Sequence, residues 1–600
     1  MTRATSIGQH SWRAFGPPIV FLVVTLYMMY PVSLWLADAI IGRPFEDAFE
    51  SIWYLYWYKH ALFDLRVSPL FQPDIFFPGG WDLRFTILPP LYPLLFSPLT
   101  AVVGPVAAYN LLLIGSCVFA AYGAYRLGRS VGGNVPGGLL AGVAYAFYPN
   151  REVYLGGHLN FLLGSMWLPW LLYCLVRAGQ SASHRTRWMA LAGVGLGMSI
   201  GGAWQFVFIS TVAGAVFAVV YLWPKVRREW KSWLRPVGMA VGVAVLVAGP
   251  LLLNASAVRG RMGESAEFSF ENVNRTSVSV ERLFVPSALN PLFWDLARKT
   301  FPLWNGGDSV VNPGYVTILL AAVGVLGARP VKRESWGLLG VLALGVILML
   351  GPTLHVWGQP VTVRLPDAGL AQSLPVELRS PDGSMRIPLP ALVLYWVLPA
   401  FRSFHGFSRW GAMLSIGLAA MAALGLTHLA KRLNPRWRIW LGVGCSALLL
   451  IELNMQPLSV VTTTQQMDRE VDRWLAAQPE RSVIIEYPLD YTMRGQSLYY
   501  TIAHGQKIVH GTGSVLPESY SGLLAILAQW PGDVTLDRLQ AIGVRYILVH
   551  AFVGDDFENA TLPQLLAIPR LTLVNRFPTR IGPVREIYVF ELEPPGRSDD

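Results

Sequence analysis

Charge is scarce in this chain. Asp, Glu, Lys and Arg make up 14% of its 600 residues, about half the share usual in soluble proteins. Hydrophobic residues supply 53% and the mean hydropathy is +0.42, which excludes disorder for most of the chain and argues against a single water-soluble core. Cysteine is scarcer still. Cys117, Cys174 and Cys445 each lie inside an apolar run with no second Cys or His at ligand spacing, so neither a disulfide framework nor a cysteine zinc site is available. Walker, nucleophile-elbow and HExxH patterns are also missing. The composition is that of a polytopic α-helical membrane protein, in which the bilayer serves as the apolar solvent.

Crossing a hydrocarbon layer of about 30 Å takes roughly 20 residues. Apolar stretches approaching or reaching that length fall at about 17–37, 105–126, 135–149, 159–177, 188–203, 205–223, 236–254, 313–328, 335–351, 409–430 and 437–455, giving eleven expected spans. The basic residues test this count. Arg3 and Arg13, Arg126 and Arg129, Arg177 to Arg187, Lys225 to Arg235, Arg329 to Arg333, and Lys431 to Arg438 all fall on one side, accompanied by only two acids, Glu229 and Glu334. By the positive-inside rule that side is cytoplasmic, with the N-terminus inside and the C-terminus outside. The net charge of +10 is therefore an inner rim that sets orientation, above a mildly acidic outer side. It is not a footprint for nucleic acid. Span 1 is longer than a signal-peptide core and is expected to be retained.

The outer side carries loops at 38–104, 150–158, 255–312 and 352–408. The proline-rich apolar stretch Thr86 to Gly104 reads as interfacial or re-entrant, because counting it as a span would invert every later Arg cluster. The expected division is a transmembrane unit at 1–455 and an extracytoplasmic unit at 456–600. The second carries short β-rich runs (481–488, 507–511, 544–550, 571–574, 585–592), expected to form a small α/β or α+β domain.

The spans are almost free of charge, Glu452 being the main exception, so candidate chemistry lies in the outer loops. Read as a helix, Arg43 to Leu65 places Asp47, Glu50 and Tyr54 on one face at three- and four-residue spacing, with Trp53, Tyr54, Tyr56, Trp57 and Tyr58 beside them. Lying at the lipid surface, this helix would hold a carboxylate at the mouth of a membrane cavity; the plainer reading is an interfacial aromatic belt with acids facing water. His158 with Asp47 or Glu50 would make an incomplete metal set, so a divalent metal is allowed and no cofactor is demanded.

An N-terminal span followed at once by an acidic pair in an outer loop, then many spans and a soluble outer C-terminal unit, resembles the GT-C superfamily of membrane glycosyltransferases. The stretches DAFESIWYLYWYKHALFD (47–64), FFPGGWDL (76–83), GVAYAFYPNREVYLGGHLNF (142–161), LPAFRSFHGFSRW (398–410) and GVRYILVH (543–550) are, more narrowly, similar to YfhO-like bacterial polytopic proteins. The resemblance implies a protein of the bacterial plasma membrane that moves a sugar from a polyprenyl-phosphate carrier to a glycan, lipid or protein acceptor on the outer face. By the same correspondence Asp47, and after it Glu46, would act as general base or metal ligand, with burial raising the carboxyl toward a useful range. Glu50, Arg151, His158, Arg402, His405 and Arg409, at outer membrane ends, are the expected substrate-binding set; an arginine there could clamp the leaving lipid phosphate, or could simply anchor a helix end. A transporter or flippase of lipid-linked saccharide, and a non-catalytic envelope scaffold, are the alternatives.

Overall fold

The computed structural model describes residues 2–43, 47–259, 268–287, 289–300, 310–327, 332–366, 373–402, 406–492, 494–513, 516–579 and 581–594. Glu46 and His405 lie outside the described residues. Helix occurs in each of the eleven apolar stretches, and among the described residues five helices are long and apolar enough to cross a membrane: Pro105–Ser130, Leu159–Gln180, Trp204–Arg228, Trp230–Val258 and Phe407–Ala430. The first expected span is shorter than its apolar run. Its helix, Thr2–Met28, gives way to a single 3-10 turn at Val32–Leu34, because Pro31 cannot donate the hydrogen bond that would continue it. The proline-rich stretch forms the helix Leu91–Val103, at about 20 Å too short to span.

Small residues set how closely these helices pack. A side chain at Gly193 would collide with the backbone of Ala240, and one at Gly197 would lie 2.7 Å from Val247 Cβ. Helix Arg185–Gly202 thus seats directly on Trp230–Arg259, while Gly201, on the same helix, faces Leu91. Gly324 and Gly425 interlock helices Tyr315–Gly327 and Gly411–Ala430 in the same way. Glu452 does not face a path through the bundle: its Oε2 accepts the Val316 N–H at 3.0 Å, capping the first turn of Tyr315–Gly327.

All five β-rich runs of the C-terminal segment are strands, joined in one mixed sheet in the spatial order Lys507–Ile508, Val483–Tyr487, Val544–Phe552, Val584–Leu592, Leu571–Pro578. The first three are parallel to one another, and Val584–Leu592 runs antiparallel to both of its neighbours, Val544–Phe552 and Leu571–Pro578. A buried ionic knot ties this sheet to its helices. Arg469 reaches Asp472 at 2.9 and 2.6 Å and Glu486 at 2.8 and 3.2 Å, its guanidinium 3.5 Å from the centre of the Tyr500 ring, while His550 Nε2 meets Glu486 Oε2 at 2.7 Å. His504, His510 and His550 are all buried, so they serve the packing of this segment and not its surface.

The sheet is fastened to the first loop, which places both at one end of the bundle. Ala39–Ile41 pairs antiparallel with Val460–Thr462, and Asn110 Nδ2 fixes the approach to that strand by donating to the Leu36 and Ala39 carbonyls at 2.8 Å. Residues 74–77 run along the sheet edge, with Ile508 N–H donating to Asp74 O at 2.8 Å, Phe77 N–H to Ile508 O at 3.0 Å, and Arg481 pairing with Asp74 at 2.8 Å.

Candidate active site

The first-loop helix runs Ala48–Lys59 with Asp47 at its N-cap. Its aromatic residues do not form a lipid-facing belt. Trp53, Tyr54, Trp57 and Tyr58 are buried; Trp53 Nε1 donates to Thr501 Oγ1 at 3.1 Å, Phe49 packs edge-on against Tyr499 at 5.2 Å, and Trp53 stacks on Trp81 at 5.6 Å. The apolar faces of these rings are covered by the C-terminal helix Gly495–His504 and by the rest of the loop, which removes them from the membrane surface.

Held this way, the helix presents two carboxylates one turn apart in opposite environments. Glu50 is buried and accepts the Tyr54 hydroxyl at 2.7 Å. Burial, reinforced by the charge of Asp47 and opposed by the Tyr54 hydrogen bond, pushes its carboxyl up to about 8, so Glu50 is mainly protonated at neutral pH. Asp47 is half-exposed and makes no capping hydrogen bond. Its Oδ2 lies 3.2 Å from His158 Nδ1. Burial alone would raise its carboxyl, but the His158 hydrogen bond and charge, with the Arg409 charge, outweigh it and hold the group below its ordinary range. The expected upward tuning therefore falls on Glu50, not on Asp47, because the cations gather at Asp47.

The gathering is a product of the fold. His158 stands at the N-cap of the short helix Leu159–Ser165, its ring packed between Tyr154 and Phe161 at 5.9 and 5.2 Å. The Arg409 guanidinium, carried on the 3-10 turn Phe407–Trp410, lies 4.0 Å from the centre of the Phe161 ring and donates to Gln205 Oε1. Asp47, His158 and Arg409 thus converge from three segments far apart in sequence. Phe161 and Gln205 complete the group. Gln205 was not singled out from sequence, although an amide opening the apolar run AWQFVF is the signal that could have found it.

Arg151 is not part of the group. Its side chain is fully buried and its N–H groups are spent on the Ala146 and Leu162 carbonyls at 3.1 and 3.3 Å, on Ser165 Oγ, and on Ser116 O at 3.4 Å. It staples helix ends where a phosphate clamp was expected. Its neighbour Glu152 is buried, both carboxylate oxygens without a hydrogen-bond partner among the described residues, and burial holds it well above the carboxylate range. Arg402 ends the short helix Pro399–Arg402 and its backbone oxygen accepts the Phe268 N–H at 3.1 Å. Among the described residues no three His, Cys, Asp or Glu side chains gather where a metal ion could be held; the Asp47–His158 pair supplies two such ligands.

No family model matches the sequence and no curated protein matches it, so the likeness to YfhO-like proteins rests on sequence motifs alone. Solved structures match by fold. Arabinofuranosyltransferase AftD from Mycobacteria aligns with a TM-score of 0.61 and 14% identity over 98% of this chain and 40% of that one. The apo oligosaccharyltransferase of Archaeoglobus fulgidus aligns with a TM-score of 0.51 and 11% identity over 90% of this chain and 70% of that one. The chain spans 40% of the length of the AftD chain it matches. At these identities the likeness is one of fold alone: the helical bundle with its C-terminal sheet shares its architecture with AftD and with the archaeal oligosaccharyltransferase.

Proposed function

We propose that the protein is an integral-membrane glycosyltransferase that moves a sugar from a polyprenyl-phosphate donor to an acceptor on the extracytoplasmic face, with Asp47 as base. The observation that carries this reading is the convergence of Asp47, His158 and Arg409 beside the first loop of a GT-C-type fold. An acceptor hydroxyl attacks the anomeric carbon and gives its proton to the Asp47 carboxylate. The bond from that carbon to the phosphate oxygen breaks, and the lipid phosphate leaves with one more negative charge. Because Asp47 is a weak base, the proton moves late, as the new C–O bond makes the attacking oxygen acidic. His158, 3.2 Å from Asp47 Oδ2, keeps the carboxylate in place. Arg409, its guanidinium held over the Phe161 ring and tied to Gln205, is positioned to stabilise the departing phosphate. Glu50, protonated one turn below, leaves Asp47 as the anion of the pair.

A carrier of lipid-linked saccharide would need ionisable groups along a path through the spans, and Glu452, the acid within a span, is spent on a helix cap. The test is transfer by the purified protein from a panel of polyprenyl-phosphate sugars. Wild type is expected to use at least one donor, and Asp47→Asn to lose about 10²- to 10⁴-fold in rate at unchanged membrane expression. Transfer from no donor would overturn the glycosyltransferase reading; undiminished transfer by Asp47→Asn would remove Asp47 as base.

A further inference from the structure

His158 stands at the N-cap of the helix Leu159–Ser165 and Arg177 lies in the last turn of Leu168–Gln180, at opposite ends of an apolar stretch, Leu159–Gln180, whose 22 residues are enough to cross a bilayer. At the Arg177 end, which the distribution of basic residues reads as cytoplasmic, a cleft of about 360 Å³ opens between three helices. Arg126 and Arg129 come from Pro105–Ser130, Tyr173 and Arg177 from Leu159–Gln180, and Trp188 from Arg185–Gly202. Among the described residues none lining it is acidic.

Arginines that only set orientation extend into water beside the headgroups. Two of the three in the cleft are held. Arg126 donates to the Tyr122 hydroxyl at 3.1 Å and to the Tyr173 hydroxyl at 2.7 Å, with its guanidinium 5.1 Å from the centre of the Tyr173 ring. Arg177 lies 5.4 Å from the centre of the Trp188 ring, and its Nε–H is buried with no hydrogen-bond partner among the described residues. Phenols do not neutralise Arg126, and an orphaned guanidinium donor is costly unless something accepts from it. The cleft therefore combines fixed donors, uncompensated positive charge, room for a headgroup, and aromatic rings of the kind that sit at a membrane interface.

We propose that this cleft binds a phosphate ester anion, carried by a lipid headgroup, at the membrane face opposite the Asp47 site. The reading is independent of the transfer chemistry. It is tested on the full chain in detergent by native mass spectrometry and thermal unfolding, titrating phosphatidylglycerol, phosphatidylcholine and glycerol 3-phosphate. Phosphatidylglycerol is expected to bind saturably and to raise the unfolding midpoint, phosphatidylcholine to do neither, and the double variant Arg126→Gln with Arg177→Gln to lose about tenfold or more in affinity for phosphatidylglycerol. Competition by glycerol 3-phosphate would identify the phosphate ester itself as the recognised group, and its failure to compete would assign the acyl chains a share; both support the site. Equal binding of the two lipids, or full affinity in the double variant, would overturn it. Should the double variant not fold, Tyr173→Phe keeps all three charges but frees one arm of Arg126, and is expected to weaken phosphatidylglycerol binding several-fold; no change there would also overturn the proposal.

Discussion

Replacing Glu50 by Gln should make the protein more stable, and by an amount that depends on pH. The Glu50 carboxyl is raised from an ordinary 4.5 to about 8, by burial first and the Asp47 charge second, against the Tyr54 hydrogen bond. Between those values the unfolded chain has released a proton that the folded chain still holds, so stability is fully present below about pH 4.5 and is lost as pH rises through about 8. With 1.36 kcal/mol for each pH unit between folded and unfolded values, the loss is about 3 kcal/mol at pH 7 and approaches about 5 kcal/mol above pH 8. Gln has no proton to lose, keeps an oxygen for the Tyr54 hydroxyl, and has nearly the same volume. Thermal unfolding of wild type and Glu50→Gln across pH 5 to 9 should therefore show two midpoints close together at the acid end and separating steadily toward pH 8 or higher. Adding Asp47→Asn removes a charge that raises the Glu50 carboxyl, so the loss should level off at a lower pH and at a smaller total. Parallel profiles for wild type and Glu50→Gln would refute the reasoning, because they would mean that Glu50 ionises in the folded protein as it does in water.

Three further outcomes follow from individual contacts. Arg409→Lys keeps the charge but loses the guanidinium over the Phe161 ring and the donor to Gln205, and transfer is expected to fall about 10- to 100-fold; a rate within a factor of three of wild type would separate Arg409 from the reaction. Arg469→Met strands Asp472 and Glu486 together in the sheet region and should cost about 3–5 kcal/mol, read by thermal unfolding or limited proteolysis of the C-terminal segment, with Asp472→Asn and Glu486→Gln in the same chain restoring most of the loss. Gly425→Ala drives a methyl group against the Leu320 carbonyl oxygen and should destabilise the Tyr315–Gly327 and Gly411–Ala430 pair by about 1–3 kcal/mol, seen as loss of a monodisperse peak in detergent.

The sequence by itself was enough for whatever depends on periodicity and composition. Helices stand in all eleven apolar stretches and strands in all five β-rich runs, because both follow from local spacing of apolar residues. Asp47 and Glu50 could be placed on one face for the same reason. Their ionisation could not. Which carboxyl is raised depends on where His158 and Arg409 arrive, and those residues are brought to Asp47 by the packing of helices more than 100 positions away. The same holds for Arg151, which in sequence stands beside His158 as a phosphate clamp but in the fold is surrounded by helix-end carbonyls, and for the first-loop tryptophans, whose lipid-facing pattern is covered by a C-terminal helix. Local pattern fixes which face a residue takes; burial, partner and charge state are sums over neighbours distant in the chain, and only the tertiary structure supplies those neighbours.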